Sequence, residues 1–222
     1  MSDQDFIAGL KGYLNFLKES RFVLLDHPRM QQTLDKQAKD RDLRCIAGDI
    51  ARCRACCLAE GRTRTVPGSG DPAARLVFVG EAPGFHEDQQ GVPFVGRAGQ
   101  LLETLLIGIG LKRSDVFICN VIKCRPPENR DPRPDEIEAC EPFLLRQLEV
   151  IKPAMICALG RHAAQTLLRT TEGINQMRGR FHLYHGIPLL PTLHPAAVLR
   201  NMNQRPDVEK DFALLADRLN ST

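Results

Sequence analysis

No apolar run in this 222-residue chain approaches the roughly 20 residues that a membrane-spanning helix needs, so no membrane partner is expected. The opening residues, Met1 to Asp5, are acidic and polar, unlike a secretory signal; the expectation is a cytoplasmic protein. Charge of one sign is also scarce: 30 Lys and Arg against 27 Asp and Glu leave a net charge of +3, which by itself does not mark a nucleic-acid binder. The glycine-rich stretch at 80–96 has no Gly-Lys-Ser/Thr, which excludes a nucleotide-hydrolase phosphate loop, and it does not match GxGxxG. No internal repeat or low-complexity tract is present.

What is there fits one large soluble domain, or a domain with an extension. Hydrophobic residues make up 43% and charged residues 26%, enough to bury a real core. Residues 1–44 read as a helical N-terminal extension without a motif, from the apolar spacing of Phe6, Ile7, Leu10, Leu14 and Leu17 and of Met30 and Leu34. His27-Pro28 separates two helices there. From 45 to 222 strands and helices alternate. Strands are expected at Leu76–Val79, Val116–Val121, Ala154–Leu159 and Ile187–Leu190, with helices from about Ala98, Pro134, Arg161 and Pro206. That order predicts a three-layer α/β/α sandwich on a mainly parallel four-stranded sheet. The stretch at 80–96 is too rich in glycine and proline to be regular structure.

Three of these strands run into polar clusters. Leu76–Val79 leads into Gly80-Glu81-Ala82-Pro83-Gly84, Val116–Cys119 into Asn120, and Ile187–Leu190 towards His194-Pro195. Sites in open α/β sheets form where strand carboxyl ends meet, so a Glu, an Asn and a His at those ends predict one pocket. Lys123, Arg125, Arg130 and Arg133 share a proline-rich loop, offset by Glu128 and Asp131, and Arg178, Arg180 and Arg200 lie near the later motifs. Such residues can line a phosphate track.

Eight cysteines in a chain expected to be cytosolic point to metal or redox chemistry rather than disulfides. Cys119 and Cys157 sit in apolar strand-like runs, where a buried inert thiol is expected. Cys53 and Cys56 share one local turn, and Cys124 and Cys140 flank the proline-rich loop, with Cys140 early in the next helix. Cys57, beside Cys56, is the competing ligand. Four thiolates allow tetrahedral zinc or an iron–sulfur cluster. The wide spread of the second pair favours the larger centre.

Taken with Asn120-Val-Ile-Lys-Cys-Arg-Pro-Pro127 and His194-Pro-Ala-Ala-Val-Leu-Arg200, the segment at 80–96 closely resembles the family 4 uracil-DNA glycosylases, from about residue 53 to 219. The resemblance implies a [4Fe-4S] cluster on Cys53, Cys56, Cys124 and Cys140. It implies a monofunctional, monomeric enzyme that acts on uracil in double- or single-stranded DNA, starts base excision repair and is nucleoid-associated when on DNA. Phe94 takes the place of the ring that stacks on the flipped base. Asn120 matches the uracil-reading asparagine, whose amide pairs with O4 and N3–H. His194 matches the donor to the charge that develops on uracil O2. Glu81 is the carboxylate for the sugar side, with Glu87 the second acidic position, and Ala82 and Pro83 line the pocket through backbone groups.

The resemblance further implies that Val198 and Leu199 form the wedge entering the DNA minor groove, with Arg200 and Arg125 near phosphate. The chain departs from the family pattern at Val198 and Leu193, usually leucine and tyrosine, and at Phe85 and His86, usually smaller or more polar. The competing readings are a non-catalytic iron–sulfur or zinc nucleic-acid-binding protein and a relative that links its motif histidine to the abasic sugar. The latter carries an inserted basic loop that is missing from the short stretch after Cys124.

Overall fold

The computed structural model describes residues 28–221 together with Phe16. The chain divides between Arg41 and Asp42 into two compact units, and the second holds the sheet and every motif residue. The helices expected before Pro28 lie outside the described residues. Helix α1 (Pro28–Arg52) runs past the boundary expected at residue 44, with Pro28 at its first position, where the missing N–H costs nothing.

In chain order there follow α2 (Leu58–Gly61), β1 (Ser69–Gly70), β2 (Leu76–Gly80), α3 (Phe85–Gln90), α4 (Arg97–Gly108), β3 (Phe117–Asn120) and α5 (Pro134–Ile151). Then come β4 (Met155–Leu159), α6 (Arg161–Leu168), α7 (Ile174–Met177), β5 (His182–Tyr184), β6 (Ile187–Thr192), α8 (Pro195–Arg200) and α9 (Arg205–Asn220). Among the described residues no helix is long and apolar enough to cross a membrane.

The strands form one sheet in the order β1-β3-β2-β4-β6-β5. The inner four are parallel, as the strand–helix alternation predicts. Two short antiparallel strands, β1 and β5, are added at the edges. Sequence reading passes over them because two and three residues, only partly buried, show no period to recognise.

Period-two alternation along the inner strands builds the layers. Val77, Val79 and Ile156 pack with Leu144, Leu148 and Ala164 of α5 and α6. Leu76, Phe78 and Met155 pack on the opposite face with Leu102, Leu106 and Phe212 of α4 and α9, where Phe78 and Phe212 stack at 5.6 Å. Cys119 and Cys157 are wholly buried in these two layers.

The stretch at 80–96 holds a helix that its composition hides. Its glycines flank α3 rather than interrupt it: Gly84 is the N-cap, and Gly91 closes the helix at φ 73°, a conformation that favours glycine. From β2 the chain crosses to β3 on one side and, after α5, to β4 on the other. The carboxyl ends of β2 and β4 are therefore a topological switch point, where loops diverge and leave a crevice.

At the sheet edge, Gly70 holds φ 136°, and a Cβ there would stand 1.9 Å from the Val116 carbonyl oxygen. Gly70→Ala should cost about 2–3 kcal/mol, since neither the backbone angle nor the main-chain neighbour can yield cheaply. Gly108→Ala, with nothing within 4 Å of the added methyl, should change stability by less than about 1 kcal/mol. Denaturant unfolding of the two variants measures both.

Candidate active site

The loops leaving β2, β3, β4 and β6 enclose a pocket of about 690 Å³. Glu81, Ala82 and Pro83 line it after β2, Gly160, Arg161 and His162 after β4, and Leu193 and His194 after β6. Pro126, Asn129 and Asp131 reach it from the loop between Cys124 and Cys140. A groove of equal volume beside β5 is lined by Phe181, Leu183 and Arg218 and contains none of the motif residues.

Asn120 lies behind this pocket rather than on its open wall. It is buried at the end of β3, paired in register with Gly80. A Cβ on Gly80 would stand 2.3 Å from Asn120 Oδ1 and 3.0 Å from the Phe94 ring, so both side chains occupy the space that Gly80 leaves open. Asn120 Nδ2 is buried without a hydrogen-bond partner. An orphaned amide donor costs about 1–3 kcal/mol, and a site keeps one where a ligand supplies the acceptor.

Phe94 stacks on His194 with ring centroids 5.5 Å apart and planes 30° from parallel. Its own backbone is strained, at φ 53°, a left-handed conformation rare for a bulky residue. Several groups hold it there. Glu87 Oε1 accepts from the Phe94 N–H at 2.7 Å, and Arg113 donates to the carbonyls of Phe94, at 3.1 Å, and Pro93. Gly99 lets the Phe94 carbonyl approach so closely that a Cβ would stand 1.8 Å from it. The other Glu87 oxygen accepts from Gly84 N–H. Both oxygens of Glu87 thus hold main chain, while the residue lines the same pocket as Glu81.

His194 is the N-cap of α8, where its Nδ1 accepts from Ala196 N–H at 3.1 Å. That bond assigns the ring proton to Nε2. Burial, with Arg200 adding to it, lowers the imidazole to about 4, so the ring is neutral at pH 7 and offers one N–H. Glu81 is half-buried, and burial, with the Asp131 charge adding to it and Arg161 opposing, raises its carboxyl to about 7. Glu81, Asp131 and His162 bring ligand-type atoms within 4.8 Å of one another, and His162 Nε2 lies 3.4 Å from Asp131. Sequence reading leaves out Asp131 and His162 as pocket residues. His162 had a usable signal, since it follows the carboxyl end of β4 just as Glu81 follows β2.

Cys53, Cys56, Cys124 and Cys140 line a second, smaller pocket with Ile50, Arg62 and Phe143. Cys57 is exposed and directs its sulfur to Glu136 Oε1 at 3.4 Å, so Cys56 is the pocket-facing member of the pair. Among the described residues no three of these sulfurs lie within 4.8 Å of one another. A single tetrahedral zinc, with Zn–S bonds of about 2.3 Å, would hold them about 3.8 Å apart. Four thiols on one small pocket are a donor set that could hold a metal centre. N–H groups already face three of the sulfurs: Ala55 N on Cys53 at 3.5 Å, Arg62 Nη1 on Cys124 at 3.2 Å and Lys123 N on Cys140 at 3.2 Å. Burial pushes the Cys140 thiol up to about 11 and raises Cys124 as well.

The expected DNA-facing residues are corrected in part. Val198 is wholly buried among the α4 and α9 core residues, so it cannot enter DNA without opening that core. Leu199 is half-buried and Arg200 exposed. Lys123 is wholly buried, Arg130 is paired with Glu136, and Arg178 with Asp211, which removes all three from the expected phosphate track. At the pocket mouth Phe85 is 51% exposed, with the Arg125 guanidinium 5.1 Å above its ring and His86 edge-on at 5.4 Å.

Residues 67–217 match the family model of the uracil DNA glycosylase superfamily. The type-4 uracil-DNA glycosylase of Saccharolobus solfataricus is 46% identical over 81% of this chain and 88% of its own length. That of Sulfurisphaera tokodaii is 46% identical over 75% and 80%, and that of Archaeoglobus fulgidus 44% over 78% and 90%. The chain belongs to the uracil DNA glycosylase superfamily, within its type-4 branch.

Proposed function

We propose that this protein is a monofunctional uracil-DNA glycosylase that flips uracil out of DNA, hydrolyses its N-glycosidic bond and so starts base excision repair. The observation that carries this reading is the orphaned buried amide of Asn120 beside a Phe94 ring stacked on a neutral histidine donor. Uracil offers a flat face for Phe94, an O4 acceptor for Nδ2 and an N3–H for Oδ1. Cytosine would set its amino group against the amide donor.

As the C1′–N1 bond breaks, the electron pair moves into the uracil ring and charge builds on O2. A neutral Nε2–H placed there stabilises that charge selectively in the transition state. C1′ becomes electron-poor, and an ionised Glu81 stabilises it and orients the water that adds there. Ala82 and Pro83 close the wall. Glu87 acts by holding Phe94. Among the described residues no lysine lines this pocket, so strand cleavage through a Schiff base is not expected.

Cys53, Cys56, Cys124 and Cys140 would hold a [4Fe-4S] cluster, which supplies a structural crosslink. With Val198 in the core, the exposed Phe85–Arg125 pair, Leu199 and Arg200 are the groups left to meet DNA, Phe85 by stacking on a base and the arginines at phosphate. We assign catalysis to the second compact unit, residues 42–222, and a cytoplasmic monomer as the working form.

The loaded protein should release free uracil from a labelled oligonucleotide and leave an abasic site; absence of release would remove the proposal. His194→Ala should slow the single-turnover chemical step by about 10²–10³, while affinity for DNA carrying an uncleavable uracil analogue changes little, because phosphate contacts supply most of it. Loss of binding with a normal saturated rate would make His194 a DNA contact.

The pH dependence follows from Glu81. Above about 7 its carboxyl is ionised and below it protonated, so the single-turnover rate should rise through that pH and then level. His194 stays neutral across this range and does not shape the limb. Asp131→Asn removes a charge that raises Glu81 and should move the limb to lower pH. A limb that persists unchanged in Glu81→Gln belongs to another group.

The purified protein should be brown, absorbing broadly near roughly 400 nm as thiolate-ligated iron–sulfur clusters do. Alanine at any of the four pocket cysteines should bleach it, whereas Cys57→Ala and Cys157→Ala should keep the colour.

A further inference from the structure

The buried lysine between the two pockets is assigned no role by the reaction. Lys123 is wholly buried. Its Nζ donates to the Asn120 main-chain carbonyl at 2.7 Å and to Gln147 Oε1 at 2.7 Å. Its own N–H donates to Cys140 Sγ at 3.2 Å, and the residue lines the pocket formed by the four thiols. One residue therefore touches both the cysteine set and the strand end that carries the buried amide.

Among the described residues no carboxylate stands within ion-pair distance of Lys123. The three buried acids, Asp88, Glu136 and Asp211, are each bonded elsewhere: to Thr63 N–H, to Arg130 and to Arg178. A buried ammonium with only neutral acceptors is costly, and such charges are found paired. The four-thiol pocket that Lys123 lines can supply negative charge. Four thiolates around a metal core carry more negative charge than the core carries positive, so a loaded site is anionic where an empty one is neutral.

We propose that Lys123 is the internal counter-cation of the four-thiolate centre and the strut that holds Asn120, so that uracil reading depends on that centre being intact. Attraction to the centre keeps the ammonium in place. The same ammonium fixes the carbonyl of Asn120, and with it the amide that faces Phe94. Gln147 anchors the other side, since its Nε2 donates to the Pro67 carbonyl at 2.7 Å. Lys123 is a positioning residue. The proposal rests on the reading of Asn120 as the base-reading amide.

The test compares the cluster-loaded wild type with Lys123→Met, which keeps the length of the chain and removes the charge. A cation near a cluster favours its reduced, more negative state, so the midpoint potential of Lys123→Met should fall in a spectroelectrochemical titration. Its affinity for DNA carrying an uncleavable uracil analogue should weaken about 10-fold, the scale of one misplaced hydrogen-bonding group, with affinity for undamaged DNA unchanged. A folded, fully loaded Lys123→Met with unaltered potential and unaltered uracil preference would overturn the proposal. Should Lys123→Met not fold or load, Gln147→Leu decides. It leaves the charge and removes one acceptor, so uracil preference should fall while the potential holds, and an unchanged preference would overturn the strut. If the wild type releases no uracil, the proposed function fails, yet the potential of Lys123→Met still decides the counter-cation. If the wild type is active and Lys123→Met equals it on both readouts, only the lysine proposal fails.

Discussion

The catalytic end of the molecule depends on the last rung between β2 and β3, where Gly80 pairs with Asn120. The pleat places both on the face that carries Phe78 and Ile118, and at this point the core of that face gives way to the pocket. With no side chain on Gly80, the Asn120 amide and the Phe94 ring share the vacated space. Any methyl there would strike Asn120 Oδ1 or the ring. A one-residue slip of the register would turn Asn120 to the opposite layer. The position of Asn120 is thus set by strand pairing rather than by a loop.

Around that rung most charged groups hold main chain, and few are left for chemistry. Glu87 fixes Gly84 and Phe94, Arg113 fixes Pro93 and Phe94, and Asp88 accepts from Thr63 and Arg64 N–H. Together these bonds impose a left-handed conformation on Phe94 that the residue would not adopt alone. Glu81 accepts none of these bonds. It lies half-buried beside Asp131 with its carboxyl raised to about 7, while His194, lining the same pocket, is held neutral. Two groups whose environments push them in opposite directions from their ordinary values are what acid–base roles require.

The inner sheet was legible because each parallel strand is a short apolar run ending in a polar cluster, and the motifs of Glu81, Asn120 and His194 mark those ends. The cysteine set was legible as four residues. Whether Cys56 or Cys57 faces the others depends on the turn after α1, which spacing does not specify. Of the expected wedge only Val198 is buried; it sits in a short apolar run at the start of α8, and nothing local distinguishes a residue facing DNA from one facing α4 and α9. Lys123 was read as a surface cation for the same reason. Its side chain is held in part by Gln147, 24 residues away in the chain, and such a distant pairing leaves no periodic trace. The helix at Phe85–Gln90 was hidden by glycines that cap it.

The loop between Cys124 and Cys140 ties these observations together. Fifteen residues separate the two cysteines, and within the loop Pro126, Asn129 and Asp131 reach the catalytic pocket. A segment this rich in proline cannot hold itself by strand or helix bonds, and closing it costs chain entropy. Arg130 clamps it to the buried Glu136 at the start of α5, and Arg125 bonds Asn129 at 2.7 Å. A crosslink between its ends and the turn after α1 would complete the closure. The carboxylate that tunes Glu81, the lysine that holds Asn120 and the aromatic–guanidinium pair at the pocket mouth all depend on this one loop. A metal centre on the proposed cysteine set would act on the pocket through position and charge, without entering the chemistry.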